Sequence, residues 1–190
     1  MTTTTKISLL LLVLAPLLMA AAGKDCPGVP WLGAVAACRK ASGTKLIYNL
    51  CISTMRDYEV NMSPSHREAV TAYVINALEA ATNSYEETGV AASNQIDNTS
   101  LSHQARDAFQ ACVGDDYLPA EHSLDHIDDA LRSGCDFAGL TDACMSGMMS
   151  LERCRDRLMS LQYSDSVYSM ILVDRQRVSL AYSLSKLLGI

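Results

Sequence analysis

The sequence predicts an all-α fold: an up-down-up-down four-helix bundle preceded by a disulfide-stapled N-terminal helical hairpin. Two observations predict the helices. Apolar residues recur by threes and fours over four long stretches, and aromatic residues (6% of the chain) and β-branched runs are scarce. The third observation is that all seven cysteines follow an apolar leader. An exported chain meets an oxidising environment, where bridges are the default for most of them.

The leader comes first. Lys6 precedes an apolar run from Ile7 through Leu18, interrupted only by Ser8 and Pro16, and Ala20, Ala21, Ala22 and Gly23 follow. That run is too short for a stable span and reads as a secretory signal peptide cut after Ala22. Residues 1–22 are therefore set apart, and 23–190 make one domain large enough to bury its own core. The expected location is extracellular, with no membrane attachment after cleavage. The chain holds 15 Lys and Arg against 21 Asp and Glu, a net charge of −6, and loss of Lys6 with the leader makes it more negative. That balance argues against nucleic acid or anionic membrane, which need clustered cations, and favours a basic protein partner.

Gly23 to Pro30 contains two prolines and two glycines and is expected to be irregular. Helices are expected over Trp31 to Ala41 and Lys45 to Asp57, with Ser42-Gly43-Thr44 as the breaker of a helical hairpin. Ser65 and Glu68 form a capping box ahead of Val70, Val74, Ala77, Ala81 and Tyr85, and Gly89 is placed to end that helix. The next runs from Ser100 to Arg132, with Phe109, Val113, Tyr117, Ala120, Leu124, Ile127 and Leu131 in register and a kink expected at Pro119. After Ser133-Gly134, one face carries Leu140, Cys144, Met148, Leu151, Cys154, Leu158 and Leu161. The last helix carries Val167, Ile171, Val178, Ala181, Leu184 and Leu188. The methionines at 145, 148, 149, 159 and 170 read as gap-filling core or half-exposed positions rather than a cofactor box.

Cys38 and Cys51 sit at facing positions of the hairpin, and a bridge there is worth about 3 kcal/mol in the chain-entropy model. Cys112 and Cys154 fall on the second and third long helices, where a bridge would fix their register. Cys135 and Cys144 can pair across the joint between those helices, leaving Cys26 over. Other connectivities stay open, because six cysteines allow about 15 pairings. No Cys-x-x-Cys occurs, so zinc-ribbon and thioredoxin-type sites lack their spacing.

Catalytic candidates are few. His122 and His126 lie one helical turn apart beside Glu121, Asp125 and Asp129, but His-Ser-Leu-Asp-His lacks the Glu that a zinc protease uses as its base, and a solvated face is the better reading. Asp115-Asp116 and Asp128-Asp129 are adjacent pairs whose side chains diverge on a helix. No nucleophile elbow or phosphate-binding glycine loop is present, and no cofactor or metal is expected. Arg153, Arg155 and Arg157 read as surface charge that cannot share one helical face. Asn98-Thr99-Ser100 and Asn61-Met62-Ser63 are N-glycosylation sequons, the second weakened by Pro64.

Three blocks in order carry a resemblance: Cys38-Arg39-Lys40 through Leu50-Cys51-Ile52-Ser53-Thr54-Met55; Ala108-Phe109-Gln110-Ala111-Cys112 with Tyr117 and Leu124 beyond; and Val178-Ser179-Leu180-Ala181-Tyr182-Ser183-Leu184. Together they resemble the plant family that inhibits invertases and pectin methylesterases. The resemblance implies a bridged hairpin, a four-helix bundle with a second bridge between its middle helices, and a secreted, non-enzymatic inhibitor in the plant cell wall. Its implied target is pectin methylesterase, with acid invertase as the alternative. The chain departs from the family in a longer Cys38 to Cys51 loop, in Met149-Ser150-Leu151-Glu152-Arg153 before Cys154, and in the additional Cys26, Cys135 and Cys144. A helical ligand carrier and a helical signalling protein are the readings from other classes; a carrier needs a roomy apolar cavity and a signalling bundle long crossovers.

Overall fold

The computed structural model describes residues 26–161 and 166–189. The leader assigned to residues 1–22 lies outside them. Among the described residues the elements run β1 (Trp31–Leu32), α1 (Ala34–Ala41), α2 (Lys45–Asp57), β2 (Glu68–Ala69), α3 (Val70–Ile96), α4 (His103–Ala111), a π-helical turn (Cys112–Tyr117), α5 (Leu118–Gly134), α6 (Leu140–Ser160), α7 (Ser166–Ser185) and a 3-10 turn (Lys186–Leu188). Helix α3 packs on α5 and α7, and α6 packs on the same two, so chain neighbours are also neighbours in space around one core. The centre is filled by side chains: Tyr73, Tyr85, Phe109, Tyr117, Leu124, Leu151 and Leu158 are fully buried. The hairpin α1–α2 lies against α3 and α7. At its turn, Thr44 Oγ1 accepts the Ile47 backbone N–H at 3.3 Å and caps α2.

Two short strands were not expected from the sequence. Trp31 pairs with Ala69 and Leu32 with Glu68, antiparallel, and Tyr73 Oη donates to the Leu32 carbonyl at 2.7 Å. This pairing occupies Glu68, which also accepts from His66 Nε2 at 2.8 Å, so the expected capping box does not form and α3 begins at Val70. Gly89 does not end α3, because the apolar face continues to buried Ala92 and packed Ile96. Tertiary burial there outweighs the roughly 1 kcal/mol that glycine costs inside a helix.

At Pro119 the outcome is a wider turn. The Leu118 N–H reaches the Val113 carbonyl, a π-type bond spanning five residues, just before Pro119 enters the first turn of α5. Proline there needs no donor, and the extra residue of the π turn removes the clash its ring would make in a continuous α-helix. That insertion also shifts the buried face, so Cys112 and Asp116 are buried while Val113 is half-buried. The methionines differ from expectation as well: Met145, Met149 and Met159 are exposed, and Met148 and Met170 half-buried.

Three bridges form: Cys38–Cys51 inside the hairpin, Cys112–Cys154 between the π turn and α6, and Cys26–Cys135 across 109 residues. The last corrects the expected Cys135–Cys144 pair and the assignment of Cys26 as the leftover thiol. Cys144 sits on the inward face of α6, fully buried and unpaired, whereas Cys135 caps α5 in a left-handed conformation and is half-exposed. Helical geometry sends the two sulfurs in different directions despite their short separation. Cys26–Cys135 thereby fastens the N-terminal segment to the far end of α5. Cys26→Ser is expected to lower stability by up to about 4 kcal/mol in denaturant unfolding. Non-reducing peptide mapping of that variant should find Cys135 unpaired; a new Cys135–Cys144 bridge would contradict the geometry.

Candidate protein-interaction surfaces

Two buried carboxyls set the positions of the helices that carry the surface. Asp174 of α7 is fully buried and accepts from Ser84 Oγ of α3 and, at 2.7 Å, from Tyr117 Oη of the π turn. Thr88 Oγ1 donates to the Ser84 carbonyl at 3.0 Å beside them. Burial pushes the Asp174 carboxyl up to about 6, against the hydrogen bonds from Ser84 and Tyr117, the nearby Thr88 hydroxyl and the charge of Arg177, all of which pull it down. Burial and the neighbouring Asp174 raise the Tyr117 hydroxyl. Tyr85 meets Tyr117 edge to face with centroids 5.4 Å apart, and Gly147 lets α6 pass close by, since a methyl there would lie 3.2 Å from the Tyr85 hydroxyl. Burial likewise raises the Cys144 thiol to about 12, which leaves it an inert apolar group at neutral pH.

Asp116, also fully buried, accepts from Arg153 Nε at 2.9 Å and Arg157 Nε at 3.3 Å, while Arg153 Nη2 donates to Ser150 Oγ at 2.8 Å. This corrects the reading of the three arginines as surface charge. Arg153 and Arg157 are four residues apart and do share a face; Arg155 turns the other way, to Glu152 and Asp156. The sequence held a signal for both acids, since Asp174 falls between Ile171 and Val178 on the apolar stripe and Asp116 between Cys112 and Ala120.

The remaining candidates are on the surface. His122 and His126 are both exposed on α5. Among the described residues no group of three or more His, Cys, Asp and Glu gathers where a metal ion could be held. Asp115 is exposed while Asp116 is buried, and Asp128 binds Arg132 while Asp129 faces solvent, so neither pair converges. Asn61 and Asn98 lie in turns whose Asn Oδ1 accepts the backbone N–H of Ser63 at 2.9 Å and of Ser100 at 3.1 Å.

Carboxylates gather along α3 and α5. Glu86 of α3 lies near Glu121 and Asp125 of α5, and Glu79 of α3 near Asp128 and Asp129. Arg132 is the cation among them, bridging Glu79 at 2.7 Å and Asp128 at 2.6 Å. Partial burial, then the charges of Asp125 and Glu86, raise the Glu121 carboxyl. Such a face is a local concentration of negative charge.

The architecture has solved counterparts. The mutant form A of a pectin methylesterase inhibitor from Arabidopsis matches with a TM-score of 0.66 at 19% identity, over 83% of this chain and 97% of that one. The chain has the pectin methylesterase inhibitor fold. A pectin methylesterase inhibitor from Arabidopsis thaliana matches with a TM-score of 0.58 at 20% identity, over 82% of this chain and 95% of that one. No family model and no curated protein matches the sequence. The inhibitor fold is therefore carried by spatial arrangement more than by residue identity.

Two stability outcomes follow within this fold. Arg153→Ala with Arg157→Ala leaves Asp116 buried without a cation and is expected to cost about 3 kcal/mol in urea unfolding, whereas Arg155→Ala should stay within about 0.5 kcal/mol. For Asp174 the folded-state value of about 6 lies above the unfolded carboxyl's, roughly 3.9. The folded state therefore binds more protons between them, and this contribution to stability falls as pH rises through that window, by up to about 3 kcal/mol. Unfolding of wild type and Asp174→Asn from about pH 4 to about pH 7 should show the decline in the wild type and its flattening in the variant.

Proposed function

We propose that the chain is a secreted proteinaceous inhibitor of pectin methylesterase, removed from its leader after Ala22, that covers the enzyme's substrate cleft and catalyses nothing itself. The observation that carries the reading is the match in fold to two pectin methylesterase inhibitors over nearly their whole lengths. Three bridges and a filled core supply the physical rationale, because a prebuilt surface loses little freedom on docking and more of its contact energy appears as affinity. In this reading the acidic face of α3 and α5 meets a basic enzyme, Asn61 and Asn98 carry glycans, and the plant cell wall is the place of action.

Purified protein is expected to lower pectin methylesterase turnover at equimolar concentration, to release no methanol from pectin alone, and to inhibit less as salt rises. Glu121→Lys with Asp125→Lys should weaken inhibition about tenfold or more at low salt by reversing charge on that face. Inhibition of acid invertase alone would transfer the assignment to that enzyme. No effect on either enzyme would leave a shared scaffold with another partner.

A further inference from the structure

The hairpin carries a charged face opposite in sign to that of the bundle. Lys45, Tyr48, Asn49, Ile52, Ser53 and Arg56 fall at helical spacing along one side of α2, while Cys51, Thr54 and Met55 are buried on the other. Arg39 of α1 lines the same shallow depression as Lys45 and Tyr48, and a second depression continues from Tyr48 past Ile52 to Arg56. Arg39, Lys45 and Arg56 are exposed; Tyr48 and Ile52 are half-buried. At helical rise, Lys45 and Arg56 stand about 16 Å apart along the axis. Asp57, at the far end, is the one carboxylate among the residues lining either depression.

These cations form no ion pair among the described residues, as is also true of Lys40, Arg67, Arg106, Arg177 and Lys186, and what sets them apart is that they gather around two adjoining depressions. In the bundle Arg132, Arg153, Arg155, Arg157 and Arg175 each engage a carboxylate. A solvated helix face in a chain of net charge −6 would be expected to mix signs, and this one does not until Asp57. Charges beyond a Debye length, about 8 Å, are largely screened, so the local sign governs what approaches the hairpin.

We propose that this face of the hairpin binds an acidic polysaccharide, a chain of uronate sugars, independently of the surface that meets the enzyme. Carboxylates spaced along an extended chain would meet Arg39, Lys45 and Arg56 as charge-assisted partners. The apolar face of an intervening ring would lie on Tyr48 and Ile52, where a purely electrostatic polyanion has nothing to gain. Three disulfides fit an oxidising, extracytoplasmic compartment, where acidic polysaccharides occur.

Isothermal titration of the full disulfide-bonded protein with polygalacturonate tests this, with its methyl ester, dextran, polyglutamate and anionic vesicles as controls. Polygalacturonate is expected to bind, with affinity falling about tenfold or more from low to high salt, and the ester and dextran to bind at least about tenfold more weakly. Lys45→Gln with Arg56→Gln should lose about tenfold, and Tyr48→Ser should weaken polygalacturonate while leaving any residual polyglutamate binding unchanged. Inhibition of pectin methylesterase by the Lys45→Gln, Arg56→Gln protein should match wild type, which reports its fold and keeps this inference separate from the inhibitor reading. Equal binding of wild type and that variant, or of dextran and polygalacturonate, would overturn the proposal. Tighter binding of polyglutamate or vesicles than of polygalacturonate would overturn its assignment to a sugar polymer.

Discussion

A carboxyl group cut off from water occupies the middle of the bundle, and the helices are arranged to satisfy it. Asp174 draws one hydroxyl from α3 and one from the π turn onto α7, so three segments distant in sequence meet at a single pair of oxygens. An unpaired carboxylate in that position would cost several kcal/mol, and these donors together with its raised proton affinity are the compensation. The site fixes rotation as well as separation. Turning α7 by one residue would remove Asp174 from both hydroxyls and bring Val173 or Arg175 toward them. A second buried acid, Asp116, does the same for the π turn against α6, where Arg153 and Arg157 reach in from a partly exposed face.

The π turn is what makes both arrangements possible. Within six residues it presents Cys112 to its bridge, Asp116 to two arginines and Tyr117 to Asp174. Pro119 and Gly114 supply local reasons for the widened turn, the first by removing a donor and the second by lowering the cost of an irregular backbone.

Apolar periodicity made the helices legible in the sequence, because a stripe such as Val74, Ala77, Ala81 and Tyr85 can be buried in only one way. Three kinds of feature escaped that reading. Asp174 drew no reading although it lies inside a stripe, since nothing local announces the hydroxyl that meets it from another helix. The end of α3 was misplaced because Gly89 carries a local signal that burial of Ala92 and Ile96 overrides. Bridge partners depend on where the sulfurs point, which spacing alone cannot give when a left-handed residue such as Cys135 lies between. The two charged faces were hidden for a simpler reason: a net charge averages a basic hairpin and an acidic bundle into one number.

The bridge between Cys26 and Cys135 bears on how the chain is made. Cys26 is made early, and its partner follows 109 residues later, after the whole of α3, α4 and α5 has been synthesised. In the interval Cys38, Cys51 and Cys112 appear in turn as accessible thiols, and soon after Cys135 comes Cys144, which is near in sequence and ends without a partner. Burial of Cys144 on the inward face of α6 removes it from competition for Cys135 once that helix has docked. Pairing of Cys135 is then a competition between helix docking and thiol oxidation, and thiol–disulfide exchange is the route by which an early wrong bridge reopens.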